Sequence, residues 1–362
     1  MKNLFNPISN PKNGAHALIA MFSFATALAT SSCTSTETPT EPFGPSAAKS
    51  AAAYTPVDLQ AYGGDLTFPS NCCDYAAAIN SAGEVVGTSE VGGGFIHGIL
   101  WAKGSATDLG TLGEINWSSQ AQDINPAGQV VGFAGTLEGL RAVLWDHGVI
   151  TDLGALGGPQ SRAFAINPSG QVVGGVEPER DGPMHAFLWE KGVMTDLGLL
   201  GGVSTQATDI NAAGQIVGWS YSGDGEEPKQ AFLWEKGVVT DLGTLGGVTT
   251  VANAINAAGQ VVGFSQTADD QPFHAFLWEK GVMTDLGTLG GQGNSVANDI
   301  NAAGAVAGQS NGNAVIWDHG QIIDLGPGSA AGINGRGDVV GWTLGLFDVA
   351  ESHYHATLWK RN

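Results

Sequence analysis

The chain has 362 residues, of which 34 are acidic and 14 basic, giving a formal charge of −20. That sign argues against nucleic acid or an anionic lipid surface as a partner, because phosphate recognition needs basic groups. The 55 glycines and the absence of a sustained 3.6-residue apolar period argue against a helical array.

Residues 1–32 carry Lys2 and Lys12, then an apolar run from Ala17 to Ala29, then small residues before Cys33. This order is that of a secretory signal, with an apolar core too short to cross a bilayer. Thr30-Ser31-Ser32-Cys33 resembles the bacterial lipobox, in which Cys33 becomes the lipidated first residue, although Thr30 stands where Leu is usual. Ala27-Leu28-Ala29 would also serve an ordinary signal peptidase, and plain secretion stays open. Loss of residues 1–32 removes two lysines and no acid, moving the charge from −20 to −22. Residues 33–53, rich in Thr, Ser, Pro and Ala, read as a flexible tether. Residues 54–362 read as one folded domain, long enough to bury a sizeable core.

Within that domain an Ile-Asn pair recurs, ending at Asn80, Asn125, Asn167, Asn211, Asn256, Asn301 and Asn334. A Trp recurs with it, at Trp101, Trp145, Trp189, Trp234, Trp278, Trp317 and Trp359, spaced 39 to 45 residues apart. That period suits four-stranded propeller blades. In each unit A-x-x-I-N predicts a first strand, followed by a turn such as Asn256-Ala257-Ala258-Gly259. Gln260-Val261-Val262-Gly263 predicts the second strand, His274-Ala275-Phe276-Leu277-Trp278 the third, and Val282 to Leu286 the fourth, after a tight Glu279-Lys280-Gly281 hairpin. The repeated Trp reads as packing between blades. An aromatic sugar platform is the weaker alternative, since a residue present in every unit is scaffold.

The last unit stops at Trp359-Lys360-Arg361-Asn362, short of its fourth strand. Val57-Asp58-Leu59-Gln60-Ala61-Tyr62-Gly63-Gly64 matches Thr284-Asp285-Leu286-Gly287-Thr288-Leu289-Gly290-Gly291 in register. The N-terminal strand is therefore expected to complete the last blade and remove both open edges. The expected fold is all-β: a seven-bladed β-propeller of four-stranded blades closed by that strand, present as a monomer.

His185-Ala186-Phe187-Leu188-Trp189 and His274-Ala275-Phe276-Leu277-Trp278, each followed by D-L-G-x-L, give the domain the grammar of a known group. From about Tyr54 onward the chain resembles the HAF-repeat family, described as extracellular repeat proteins. The resemblance implies export and a repeat architecture, and it brings no activity, substrate or catalytic residue. Arg141, Gln230 and Asn313 replace the repeat His, and the sixth unit has Gly326-Pro327-Gly328 in place of the Gly-rich exit. Kelch and WD-type propellers share the glycine-plus-Trp grammar, but their signature dipeptides stand elsewhere.

The turns after the first and third strands are short and uniform, whereas the connections between second and third strands vary. Variable loops on a rigid ring are where binding groups reside. Three carry clustered charge: Glu177, Glu179, Arg180 and Asp181; Asp224, Glu226 and Glu227; Asp269 and Asp270. A fourth carries Asp348, Glu351 and His353 beside the repeat residue His355. None has calcium-loop or zinc-motif spacing, so no metal and no cofactor is expected, and a solvated loop is the bland reading of each. The repeat histidines and the Asp of the D-L-G step, including Asp108 and Asp152, read as structural polar contacts and turn caps. Cys72 and Cys73 lie in a loop longer than its counterparts, either as a vicinal disulfide or as two thiols. The function expected is a non-enzymatic, exported binding module for a glycan or protein, touching the membrane only through a lipid anchor. A polysaccharide hydrolase, which would need two positioned carboxylates, and a structural envelope scaffold are the alternatives.

Overall fold

The computed structural model describes residues 53–60, 62, 74–113, 117–221, 223, 229–268, 272–344 and 354–362. The signal and tether expectations, and with them Cys33, Cys72 and Cys73, lie outside the described residues. Strand β1 (Tyr54–Asp58) comes first in the chain and last in the ring. Blade 1 is β2 (Tyr75–Ile79), β3 (Val85–Glu90), β4 (Ile96–Ala102) and β5 (Ser105–Asp108). Blade 2 is β6 (Ser119–Ile124), β7 (Val130–Gly135), β8 (Leu140–Asp146) and β9 (Val149–Asp152). Blade 3 is β10 (Gln160–Ile166), β11 (Val172–Glu177), β12 (His185–Glu190) and β13 (Val193–Gly198). Blade 4 is β14 (Ser204–Ile210), β15 (Ile216–Tyr221), β16 (Lys229–Glu235) and β17 (Val238–Asp241). Blade 5 is β18 (Gly246–Ile255), β19 (Val261–Thr267), β20 (Phe273–Glu279) and β21 (Val282–Asp285).

Blades 6 and 7 share a strand. Blade 6 is β22 (Ser295–Ile300), β23 (Val306–Ser310), β24 (Asn313–Asp318) and the first half of β25 (Gln321–Ile333). The second half of β25 is the inner strand of blade 7, followed by β26 (Val339–Leu344) and β27 (Tyr354–Arg361). The missing Gly-rich exit in the sixth unit explains this: without it the fourth strand runs straight into the next blade. Strand β1 then pairs antiparallel with β27, Tyr54 opposite Arg361 and Asp58 opposite Thr357. The seventh blade is thus completed from the other end of the chain, as the permuted repeat requires.

Every inner strand carries a bulge one residue before its last pair, for example between Ala252 and Ala254. The bulge pushes a carbonyl at the second strand. A Cβ on Gly263 would lie 2.0 Å from the Val251 carbonyl oxygen, so the Gly that ends Q-V-V-G is a steric requirement. The third-to-fourth hairpin places both central residues at positive φ, Lys280 at 51° and Gly281 at 86°. The sequence indicates the glycine alone. The hairpin is the mirror-image turn that matches strand twist, with Lys in the place Asn usually takes.

The core lies in the seams. Trp145 of blade 2 packs with Val86 of blade 1, and Trp317 of blade 6 with Val262 and Ala275 of blade 5. Trp359 packs with Ala307, Ala314 and Ile316 of blade 6. The aromatic repeat is therefore inter-blade packing.

Candidate functional site

Two ends of the ring are chemically unlike. On one, the turns after the inner strands form a nearly sevenfold collar around the axis. Asn256 is typical. Its Oδ1 accepts the N–H of Ala258 and Gln260 at 3.0 and 3.1 Å, and its Nδ2 donates to Gln260 Oε1 at 2.7 Å and to the Asn301 carbonyl at 3.1 Å. All four of its hydrogen-bonding positions are filled. The bond to the next blade recurs at every seam. The collar surrounds an axial depression of about 320 Å³ reached by Ile79, Ile124, Ile300 and Ile333.

Just inside the collar, three carboxylates alternate with small residues. Asp123, Asp209 and Asp299 stand on the inner strands of blades 2, 4 and 6, where Ala78, Ala165, Ala254 and Gly332 occupy the other blades. Each carboxylate caps two backbone N–H groups. Asp209 accepts from its own neighbour Ile210 and from Ile255 of the next blade, both at 2.7 Å. Asp123 serves Ile124 and Ile166, and Asp299 serves Ile300 and Ile333. One carboxylate with two oxygens satisfies two inner strands, which is why alternate blades carry no acid. Seven is odd, so Ile79 follows Gly332 and has no such cap. Burial pushes Asp209 up to about 8, with the Asp123 charge the next cause. Burial also raises Asp123, to about 6, and Asp299.

At the other end lie the loops between second and third strands and the linkers between blades. Of the charged residues singled out from the sequence, Glu179, Arg180 and Asp181 stand in the loop after β11, whereas Glu177 is the last residue of β11, opposite Gln160. Glu179 and Arg180 line a cleft of about 270 Å³ at the seam of blades 2 and 3, together with Glu138, Pro159 and Pro178. Glu138 is held by Arg141 at 2.8 Å, and Arg180 has no ion pair among the described residues. Asp224, Glu226, Glu227, Asp269, Asp270, Asp348, Glu351 and His353 lie outside the described residues. Glu138 and its neighbour Leu137 carry no such signal in the sequence, since their short hairpin holds one acid and no cluster of charge.

The repeat histidines and aspartates pair with each other. His97 Nδ1 lies 2.8 Å from Asp108 Oδ2, His185 Nδ1 2.9 Å from Asp196 and His274 Nδ1 2.7 Å from Asp285. His355 reaches Asp58 of β1 at 3.3 Å, so the pair joins the two ends of the chain in blade 7. Each of these aspartates also caps the N–H two residues on, as at Gly287 and Gln60. These are turn caps and strand ties, as expected from the sequence. No group of three or more metal-ligating side chains comes together among the described residues.

No family profile matches the chain, and no curated protein matches it in sequence. In shape it is similar to an acylaminoacyl peptidase from Pyrococcus horikoshii, with 11% identity and a TM-score of 0.50 over 79% of this chain and 51% of that one. An acylaminoacyl peptidase in complex with Z-Gly-Gly-Phe-chloromethyl ketone gives 10% identity and 0.53, over 79% and 51%. The chain thus spans about half the length of these peptidases. The β-propeller domain of the Trilobed protease from Pyrococcus furiosus gives 12% identity and 0.51, over 79% of this chain and 95% of that one. At these identities the likeness shows the fold, a β-propeller, and nothing of activity. That domain is described as having an open velcro topology. Here β1 closes the last blade.

Proposed function

We propose that this chain is an exported, non-enzymatic binding module of the HAF-repeat type, carried on a tether that begins at a lipidated Cys33. It binds a glycan or protein through the loop-bearing face, and a single chain forms the functional ring. The observation that carries this reading is the cleft at the seam of blades 2 and 3, where a loop, a linker and a hairpin from two blades bring Glu138, Glu179 and Arg180 together on the irregular face. The remaining repeat polar groups are spent on capping and ring closure, which leaves this face as the place with groups to offer a ligand.

The test is binding and turnover measured side by side on the purified chain, against a glycan array, a peptide panel and soluble envelope polysaccharides. Retention without release of reducing ends, weakened at least about tenfold by Glu179→Ala with Arg180→Ala, is expected. Reducing-end release by the purified chain would overturn the non-enzymatic reading. Retention of nothing would leave a spacer.

A further inference from the structure

We infer that the seam of blades 2 and 3 docks an extended peptide segment of a protein partner, with Leu137 as apolar anchor and Arg180 paired to a carboxylate of that segment. This rests on the binding-module reading and chooses between its two ligand classes.

Leu137 is 94% exposed, the most exposed large apolar residue among those described, the next being Val238 at 65%. Exposed valines on outer strands are ordinary surface. Leu137 differs in being held. It sits in the turn Thr136–Gly139, where Thr136 N donates to the Gly139 carbonyl at 2.8 Å and Gly139 N returns a bond to Thr136 at 3.3 Å. The Thr136 hydroxyl adds a bond to the Gly139 carbonyl at 2.9 Å and accepts one from Glu138 N at 3.3 Å. A leucine presented on a fixed turn has its backbone ordered before any partner arrives, so docking has only the side chain left to order.

The cleft beside it is also preformed. A Cβ on Gly139 would fall 2.9 Å from the Pro159 carbonyl oxygen, and one on Gly158 would fall 1.7 Å from the Glu177 carbonyl. Hairpin, linker and loop are therefore in backbone contact and define one another's positions. Pro159 and Pro178 supply apolar walls with fixed φ. Among the described residues no aromatic ring lines the cleft, so it lacks the stacking surface a sugar would use, whereas its two prolines, with Leu137 on the adjoining turn, suit apolar side chains. Glu138 is matched by Arg141, while Arg180 is exposed and unpaired among the described residues, a fork open to a carboxylate. An apolar anchor with a charged rim is the anatomy of a protein contact.

The probe is a phage-displayed library of short random peptides panned on the full chain, with selected peptides synthesised and titrated by calorimetry. The same chain is applied to a glycan array. Selected peptides are expected to carry an acidic residue, to lose at least about tenfold in affinity on Leu137→Ser or Arg180→Glu, and to be untouched by Val282→Ser on an outer strand. Exchanging the peptide's acid for Lys should restore binding to Arg180→Glu. All three positions are exposed, so the fold is not at risk. Peptides that bind wild type and both variants alike would overturn this inference and leave the binding module standing elsewhere on the face. Retention of glycans alone would overturn it in favour of a sugar ligand. Retention of neither class would overturn the inference and the binding-module reading together.

Discussion

Asn334 donates its side-chain amide to the backbone carbonyl of Asn80, 3.4 Å away and 254 residues earlier in the chain. Six equivalent bonds, from Asn80 through Asn301, run round the collar at 3.1 to 3.3 Å. The ring is thus closed twice, by this amide circuit near the axis and by β1 on β27 at the rim.

The amide circuit makes a stability prediction that separates donor from acceptor. Asn211→Asp keeps both turn acceptors, for Ala213 and Gln215, but sets a carboxylate oxygen against Gln215 Oε1 and the Asn256 carbonyl. A loss of about 2–4 kcal/mol is expected, as two buried donors vanish. Asn301 has Ala305 where Gln215 stands and makes only the inter-blade bond with its amide. Asn301→Asp is therefore expected to cost less. Urea unfolding of both variants checks the order, and equal losses would contradict it.

The axial carboxylates set a pH dependence of unusual sign. Asp209 has an ordinary value of 3.8 and a folded value of about 8. The folded ring therefore holds a proton that the unfolded chain releases between those values. Its stabilising contribution is present below about pH 4 and is lost as pH rises towards about 8. Asp123, at about 6, acts in the same direction. Thermal unfolding at pH 5 and pH 8 should show the higher midpoint at pH 5. Asp209→Ala, the residue blade 5 has at the equivalent position 254, should narrow that difference; an unchanged difference would exclude Asp209 as its source.

The bulge opposite Gly263 is a third test. Gly263→Ala places a methyl 2.0 Å from the Val251 carbonyl oxygen, inside any tolerable contact. A loss above about 2 kcal/mol is expected in denaturant titration. Gly223, with open space around it, should accept Ala within about 0.5 kcal/mol.

A stabilising change is also available. Lys280 is exposed and sits at φ 51°, a conformation Asn tolerates better. Lys280→Asn should raise the midpoint of thermal unfolding by an amount worth a few tenths of a kcal/mol, and a fall would show that the Glu279 contact outweighs the backbone term.

Much of this fold is legible in one dimension because each blade repeats its chemistry. The match of Asp58 to Asp285 was enough to place β1, and in the structure Asp58 ties to His355 as Asp285 ties to His274. The amide circuit was not legible, since the turn after Ile-Asn accounts for Asn on its own. The signal was there in the strict use of Asn, because Asp would form the turn without a donor and Ser with only one. The alternation of Asp123, Asp209 and Asp299 with alanine or glycine was equally visible, but its cause needs two blades side by side. At the candidate site, clustered charge marks Glu179 and Arg180 in the sequence, and nothing marks Leu137. An exposed leucine differs from a buried one only by what surrounds it.

Closure of the ring by its first strand carries everything else, and one crosslink addresses it. Thr55 and Lys360 are direct partners across β1 and β27, and both are exposed. Paired residues in an antiparallel ladder stand within reach of a disulfide. The measurement is the non-reducing peptide map of Thr55→Cys/Lys360→Cys after mild oxidation, in a chain whose own Cys33, Cys72 and Cys73 are changed to Ser. A bond within one chain, formed in the folded monomer, is the expected result. Thiols that stay free, or that link only different chains, would contradict a ring closed by its own N-terminal strand.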